Sequence, residues 1–164
     1  GITAVLLSLF FILIYIWFRF EWQFSIAAIF ALIHDVFSTI GLFSILNLEF
    51  NLAIVAALLT TAGYSINDTV VVFDRIREFF KIHSSWDSET TVNTALNSTL
   101  SRTLNTSLTT LIVLTAIFIF GGESIRGFMF ALIIGVMVGT YSSVFIATPI
   151  MFDSYKKRKS NLQT

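Results

Sequence analysis

The sequence predicts an all-α membrane protein, a polytopic bundle of transmembrane helices. Hydrophobic residues make up 55% of the chain and charged residues only 12%, a balance that leaves a soluble domain of this size with too much exposed apolar surface. The apolar residues also occur in blocks of about 20, the length that crosses a hydrocarbon core of about 30 Å. Such blocks indicate helices, because a helix satisfies all of its own backbone groups inside a membrane.

Five apolar segments are predicted to span the membrane. They cover about residues 1–18, 24–46, 51–73, 104–120 and 127–152, and together they form a single transmembrane domain over 1–164 with a basic tail at 153–164. No charged segment precedes the first span, so it is not typical of a signal peptide. Since the chain starts at Gly1, we expect it to be part of a longer protein.

The connection between the third and fourth spans, residues 74–100, is predicted to be an interfacial cytoplasmic segment. Its first part, from Asp74 to Ile82, mixes charged and aromatic residues, as a helix lying in the headgroup layer does. Farther along, apolar residues recur at helical spacing at Val92, Ala95, Leu96, Leu100 and Leu104. This second part is expected to lead as a helix directly into the fourth span.

The distribution of basic residues predicts the orientation of the chain. Nine of its lysines and arginines lie on one side of the predicted spans, and only Arg126 lies on the other. Because basic loops stay in the cytoplasm, the N-terminus is expected outside and the C-terminus inside. The tight turn at Asn47–Glu49, which has no basic residue, is then external.

Asp68 and Arg102 are the leading functional candidates, because ionisable residues within a membrane span are costly. Asp68 lies 17 residues after Asn51, and Arg102 lies 18 residues before Phe120. Both are then about 26–27 Å from the outer face, at a helical rise of 1.5 Å per residue, so they could meet at one level. Such a pair is either a site that loads and releases a proton or a permanent structural ion pair.

Other polar residues accompany these two. Thr60, Tyr64 and Asp68 recur at i+4 spacing on the third span, and Thr106 follows Arg102 at the same spacing. Thr106 is therefore included with the proposed proton pair, and the secondary polar candidates are His34, Asp35, Tyr64, Ser65 and Asn67. For His34 and Asp35 we favour a packing role over a proton relay, because the sequence identifies no partner for them.

A ridge of small residues runs along the fifth span. Ala131, Gly135, Gly139, Ser143 and Ala147 follow one another at strict i+4 spacing. Such a ridge lets another helix approach closely, so Gly135, Gly139 and Ser143 are predicted packing residues. The partner is either a helix of the same bundle or a helix of a second half.

Several functional classes are not supported by the composition. There is no cysteine and there are only two histidines, in different environments, so no metal site is predicted. The net charge is zero, so nothing indicates binding of nucleic acid. No cofactor is expected other than the proton as a coupling ion.

The third span carries the most specific motif, Gly63-Tyr-Ser-Ile-Asn-Asp-Thr-Val-Val-Val-Phe-Asp-Arg-Ile-Arg-Glu78. This run resembles the signature of the SecF branch of the SecD/SecF family of bacterial protein-export membrane proteins. Matching segments occur in order along nearly all of the chain, among them Ala31-Leu-Ile-His-Asp35, Ser101-Arg-Thr-Leu-Asn105 and Gly121-Gly-Glu-Ser-Ile-Arg-Gly-Phe128.

The resemblance implies one RND-like half of a pseudo-symmetric bundle, with SecD as the other half, either separate or fused. It implies a non-enzymatic subunit of the Sec translocase in the bacterial inner membrane, which uses the proton motive force to help export proteins. The implied partners are SecD, the SecYEG channel, SecA indirectly and the translocating preprotein. The family's proton-pathway residues match Asp68 and Arg102, and the family's first span and external domain fall outside the match.

Two other hypotheses stay open. One is half of an RND-like exporter of small molecules or lipids, which efflux of a small substrate would reveal, whereas copurification with SecD and the channel favours export of proteins. The other is a structural assembly subunit in which Asp68 and Arg102 form a static ion pair. Titration of Asp68 in the physiological range would argue against that static pair.

Overall fold

The computed structural model describes residues 22–161 continuously, with side chains as far as 158, and six single positions before residue 22. Five α-helices follow one another: α1 (Trp22–Ile45), α2 (Leu52–Ile82), α3 (Ser88–Phe120), α4 (Glu123–Ser142) and α5 (Thr148–Asn161). A π-helical turn, Ser143–Ala147, joins α4 to α5. The predicted first span, residues 1–18, lies outside the continuous stretch.

The predicted fold class is confirmed over the described residues. Four helical stretches there are long and apolar enough to cross a membrane, with α4, the π-helical turn and α5 counted as one. Hydrogen bonds between α2 and α3 join Tyr64 to Thr110 and Asp68 to Thr103. Because residue numbers rise along one helix as they fall along the other, α2 and α3 are antiparallel.

Helix α2 extends well beyond the predicted third span. It begins after Asn51, whose side chain accepts hydrogen bonds from the backbone N–H groups of Ala53 and Ile54 at 3.0 and 3.2 Å, as an N-cap residue does. It then continues for 31 residues, about 46 Å at the helical rise. Asp74 to Ile82 is therefore the end of α2 and not a helix of its own, whereas its location in the headgroup layer stays a prediction.

The absence of a break at Asp74 has a physical reason. No proline or glycine interrupts residues 64–82, so nothing in this stretch opposes continuation of the helix. Arg75 Nη1 also contacts Glu78 Oε2 at 2.6 Å, one turn along the same helix, and Arg75 Nε donates to Ser98 Oγ on α3 at 3.1 Å. These contacts support the charged end of α2 and hold it against α3.

Helix α3 confirms that the polar approach to the fourth span is part of the same helix. It begins after Asp87, which accepts a hydrogen bond from the backbone N–H of Glu89 at 3.2 Å, and it runs for 33 residues. Its buried residues all lie in the first two thirds of the helix: Thr91, Val92, Ala95, Thr99, Thr103 and Ser107. Beyond Ser107 the helix exposes apolar side chains such as Ile112.

The last predicted span begins earlier and continues farther than predicted. Helix α4 starts at Glu123, and after the π-helical turn α5 reaches Asn161, so most of the predicted tail is helical. The π-helical turn comes just before Pro149, the only proline in the chain. Proline has no N–H to donate and crowds the carbonyl four residues earlier, and a widened turn accommodates both effects.

The ridge of small residues packs inside the bundle, against α2. A Cβ atom added to Gly135 would overlap the Thr61 side chain, and one added to Gly139 would lie 2.9 Å from Ser65 Cβ. Ala131, Ser143 and Ala147 are fully buried. The close approach of α4 to α2 therefore depends on the missing side chains at the two glycines.

Candidate functional site

Asp68 lies on the face of α2 that packs against α3, and only 7% of the residue is exposed. Its Oδ1 accepts a hydrogen bond from Thr103 Oγ1 at 3.1 Å. Its Oδ2 is buried and has no hydrogen-bond partner among the residues that the structure describes. A buried carboxylate oxygen without a donor is unfavourable, so the two oxygens of Asp68 have different surroundings, one bonded to Thr103 and the other without a donor among the described residues.

Arg102 does not form the direct ion pair that its matching depth suggested. Among residues 22–158 no ion pair joins it to Asp68, although its charge is near enough to act on the carboxylate. The two helices do meet at this level, but the contact is made by Thr103. Successive residues of a helix are turned by about 100°, so Thr103 faces Asp68 while Arg102 is exposed.

The Arg102 side chain instead lines an open cavity of about 390 Å³ between α2 and α3. The cavity is also lined by Asp74, Arg75 and Glu78 near the charged end of α2. Arg102 therefore shares this cavity with the charged residues at the end of α2.

The other polar residues predicted to accompany Asp68 and Arg102 differ in their burial. Tyr64 is half-buried, and its hydroxyl donates to Thr110 Oγ1 at 3.4 Å. Asn67 and Thr106 are exposed, and Thr106 Oγ1 donates to the backbone carbonyls of Arg102 and Thr103 at 3.1 and 3.0 Å. In a membrane span, such an exposed polar face is expected to contact protein or water, because lipid cannot satisfy it.

Asp35 is the centre of a second polar cluster, and here the structure supplies the partners that the sequence did not. Its Oδ2 accepts hydrogen bonds from Ser65 Oγ on α2 at 2.5 Å and from Ser142 Oγ on α4 at 2.8 Å. Its Oδ1 lies 3.1 Å from Nδ1 of His34. Asp35 is 5% exposed, so one buried carboxylate connects three helices.

Further hydroxyl groups join α4 and the π-helical turn to α2 and α3. Ser143 Oγ, at the start of the π-helical turn, lies 2.9 Å from Thr69 Oγ1 on α2. Nearby, Ser107 Oγ on α3 lies 2.6 Å from Thr140 Oγ1 on α4. These bonds connect the facing helices through buried or partly buried hydroxyl pairs.

Sequence reasoning did not single out Thr103, Ser142 or Thr69. A signal for Thr103 was present, because Thr99, Thr103 and Ser107 follow at i+4 spacing and form a hydroxyl face of α3. For Ser142 no comparable signal exists, since its role depends on how α4 is placed against α1.

The chain resembles known proteins over nearly its whole length. A family model described as protein export membrane protein SecD/SecF, C-terminal, matches residues 1–157. Similar proteins include the protein translocase subunit SecF of Rhodothermus marinus, 53% identical over 93% of this chain and 52% of that protein. Another is the SecF subunit of Magnetococcus marinus, 51% identical over 100% of this chain and 53% of that protein.

A solved structure has a similar fold. The crystal structure of SecDF in its super-membrane-facing form has a TM-score of 0.92 and 44% sequence identity, over 99% of this chain and 22% of that chain. Compared with the two SecF subunits above, the present chain spans about half of the relatives' length.

Proposed function

Because this chain belongs to the C-terminal family of the SecD/SecF protein-export membrane proteins, we propose that it responds to protons in an accessory subunit of a protein translocase. In this role it couples the proton motive force to the export of proteins, without enzymatic activity. The observation that carries the proposal is the state of Asp68, a buried carboxylate with one oxygen held by Thr103 and the other unpartnered.

Proton binding at Asp68 would change the contact between α2 and α3. While Asp68 is ionised, it accepts from Thr103 and attracts Arg102. A proton on Oδ2 removes the negative charge, so the attraction to Arg102 is lost, and the new O–H needs an acceptor. Helix α3 buries only one side of its first two thirds in the described bundle, so it is the helix most able to shift in response.

The exposed polar face of α2 and α3 supports a partner within the membrane. Asn67, Arg102 and Thr106 all lie on it, and such groups are disfavoured against lipid. We propose that SecD, whether fused or separate, covers this face, and that SecYEG, SecA and the preprotein act with the complete assembly. The location is the bacterial inner membrane, with the C-terminal end of the chain in the cytoplasm, consistent with its basic residues.

Replacement of the two charges tests this function. In the complete protein with its partners, we expect Asp68→Asn and Arg102→Met each to abolish the proton-driven stimulation of export in inverted membrane vesicles. Thr109→Val is the matched control, because Thr109 is exposed on α3 and its hydroxyl bonds only to carbonyls of its own helix. Normal stimulation in both charge variants, with normal assembly, would refute the function.

A further inference from the structure

Asp35 is buried, but few groups around it can stabilise its negative charge. Moving a carboxylate out of water costs several kcal/mol unless a cation or several donors replace the lost hydration. The donors here are the hydroxyls of Ser65 and Ser142, both on Oδ2. Within residues 22–158 the contacts of Asp35 include no lysine or arginine, and His34 is the only side chain beside it that can carry a positive charge.

His34 connects Asp35 to the outside of the described bundle. Its side chain is 36% exposed, whereas that of Asp35 is 7% exposed. Its Nδ1 lies 3.1 Å from Asp35 Oδ1, and its Nε2 lies 3.3 Å from Ser38 Oγ one turn farther along α1. Imidazole is the side chain that gains and loses a proton near neutral pH, so a proton can enter this pair from its exposed member.

Within residues 22–158, Asp35 forms no ion pair with a lysine or arginine of the helices packed against it. On α2 the next ionisable residue toward the charged end is Asp68, three residues after Ser65, and Tyr64 bonds instead to Thr110 on α3. On α4 Tyr141 precedes Ser142 in the sequence and is exposed. Among the described residues, the charge at this place therefore depends on the protons that His34 and Asp35 hold between them.

Buried hydroxyl groups lie next to Asp35 where α2 meets α4 and the π-helical turn. Ser65 and Ser142 donate to Asp35, and the next residue after Ser142, Ser143, bonds to Thr69 beside Asp68 on α2. The π-helical turn starts at Ser143, and single π-helical turns within α-helices are frequent at functional sites. Four buried hydroxyls thus line the contact of α2 with the end of α4 and the π-helical turn.

We propose that His34 and Asp35 together form a second proton-holding site in this bundle, separate from Asp68. A proton taken up by His34 gives an imidazolium beside a carboxylate. Transfer breaks the Nδ1–H bond and forms an O–H bond on Asp35 Oδ1, which leaves both groups neutral and the net charge of the pair unchanged. A role of this pair in export rests on the proton-driven function proposed for Asp68.

Infrared difference spectroscopy of the complete, membrane-reconstituted protein tests this site, because a protonated carboxyl group absorbs apart from a carboxylate. Among the carboxyl components that the wild type gains as the pH is lowered, we expect one that belongs to Asp35 and one that belongs to Asp68. Asp35→Asn should remove one and leave the other, and Asp68→Asn should do the reverse. His34→Gln should shift the midpoint of the Asp35 component, while that of Asp68 stays in place.

Thr39→Val is the control, since Thr39 is buried one turn from Asp35 and bonds only to its backbone carbonyl, at 2.9 Å. This variant should retain both carboxyl components at their wild-type midpoints. If Asp35→Asn does not fold, Ser142→Ala serves in its place, because it removes one donor to Asp35 and should shift the midpoint of that component alone.

The spectra distinguish a failure of the proposal for Asp35 from a failure of the proposal for Asp68. If the wild type shows no carboxyl component sensitive to Asp35→Asn, or to Ser142→Ala in its place, Asp35 stays ionised as a structural centre and the second site is refuted. If the Asp35 component is present and the Asp68 component is missing, the second site stands and the function proposed for Asp68 fails.

Discussion

Thr103 Oγ1 on α3 donates a hydrogen bond of 3.1 Å to Asp68 Oδ1 on α2, and this bond orients the buried carboxylate. Thr103 is 1% exposed, so water cannot replace its hydroxyl. Because the bond fixes one carboxylate oxygen, it also decides where the unpartnered oxygen lies.

We expect Thr103→Val to impair proton-driven export and Thr103→Ser to preserve it. Valine fills the same volume without a donor, and loss of a hydrogen bond to a charged group costs about 1.5–3 kcal/mol. The pH dependence of export stimulation by the complete protein is the measurement, and its midpoint should move in the valine variant only. Equal profiles for valine, serine and wild type would show that the hydroxyl does not act on Asp68.

Alanine substitutions at Gly135 and Gly139 of α4 are expected to reduce stability to different degrees. Gly135→Ala should destabilise the bundle more than Gly139→Ala, because the added Cβ overlaps the Thr61 side chain in the first and lies 2.9 Å from Ser65 Cβ in the second. Overpacking of this kind costs about 1–3 kcal/mol. Thermal unfolding in detergent micelles measures the difference.

Gly41→Ala is the matched control for this series. Gly41 lies within α1, and an added Cβ there meets no atom within 4 Å. Alanine is also the better helix former, by about 1 kcal/mol, so stability should be unchanged or higher. A loss equal to that of Gly135→Ala would mean that close packing of α4 is not the cause.

The N-cap of α2 should contribute measurably to stability. Asn51 accepts from two backbone N–H groups of the first turn, and removal of such a cap costs about 1 kcal/mol. Asn51→Ala should therefore lower the unfolding temperature, while Asn51→Asp, which keeps the acceptor, should not. Identical unfolding curves for all three proteins would contradict the capping role.

The proposed orientation can be tested by single cysteines, because the chain has none of its own. Glu49→Cys lies in the turn between α1 and α2, and Ser85→Cys lies in the turn between α2 and α3. A membrane-impermeant maleimide applied outside spheroplasts should label the first and not the second. The reverse pattern would invert the orientation, and labelling of both without lysis would mean that the two turns do not lie on opposite sides.

The depth comparison succeeded for Asp68 because the rise of a helix is the same in every sequence. It predicted that α3 and α2 meet at the level of Asp68, and the hydrogen bond from Thr103 to Asp68 agrees with that prediction. The depth comparison could not show whether Arg102 or Thr103 contacts Asp68, because the contact depends on the rotation of α3 about its own axis. Rotation is decided by packing, and the buried hydroxyl face of α3 turns Thr103 inward.

For this protein the sequence alone determined the class, four spans of the described part and Asp68 as a candidate, since hydrophobic length and the cost of a buried charge are local properties. Only the tertiary structure decided that α2 continues through Ile82 and that the glycine ridge faces α2. It also brought Ser65 and Ser142 to Asp35. These contacts join residues 30 and 107 positions apart, and they exist only because three helices pack together, which no single segment encodes.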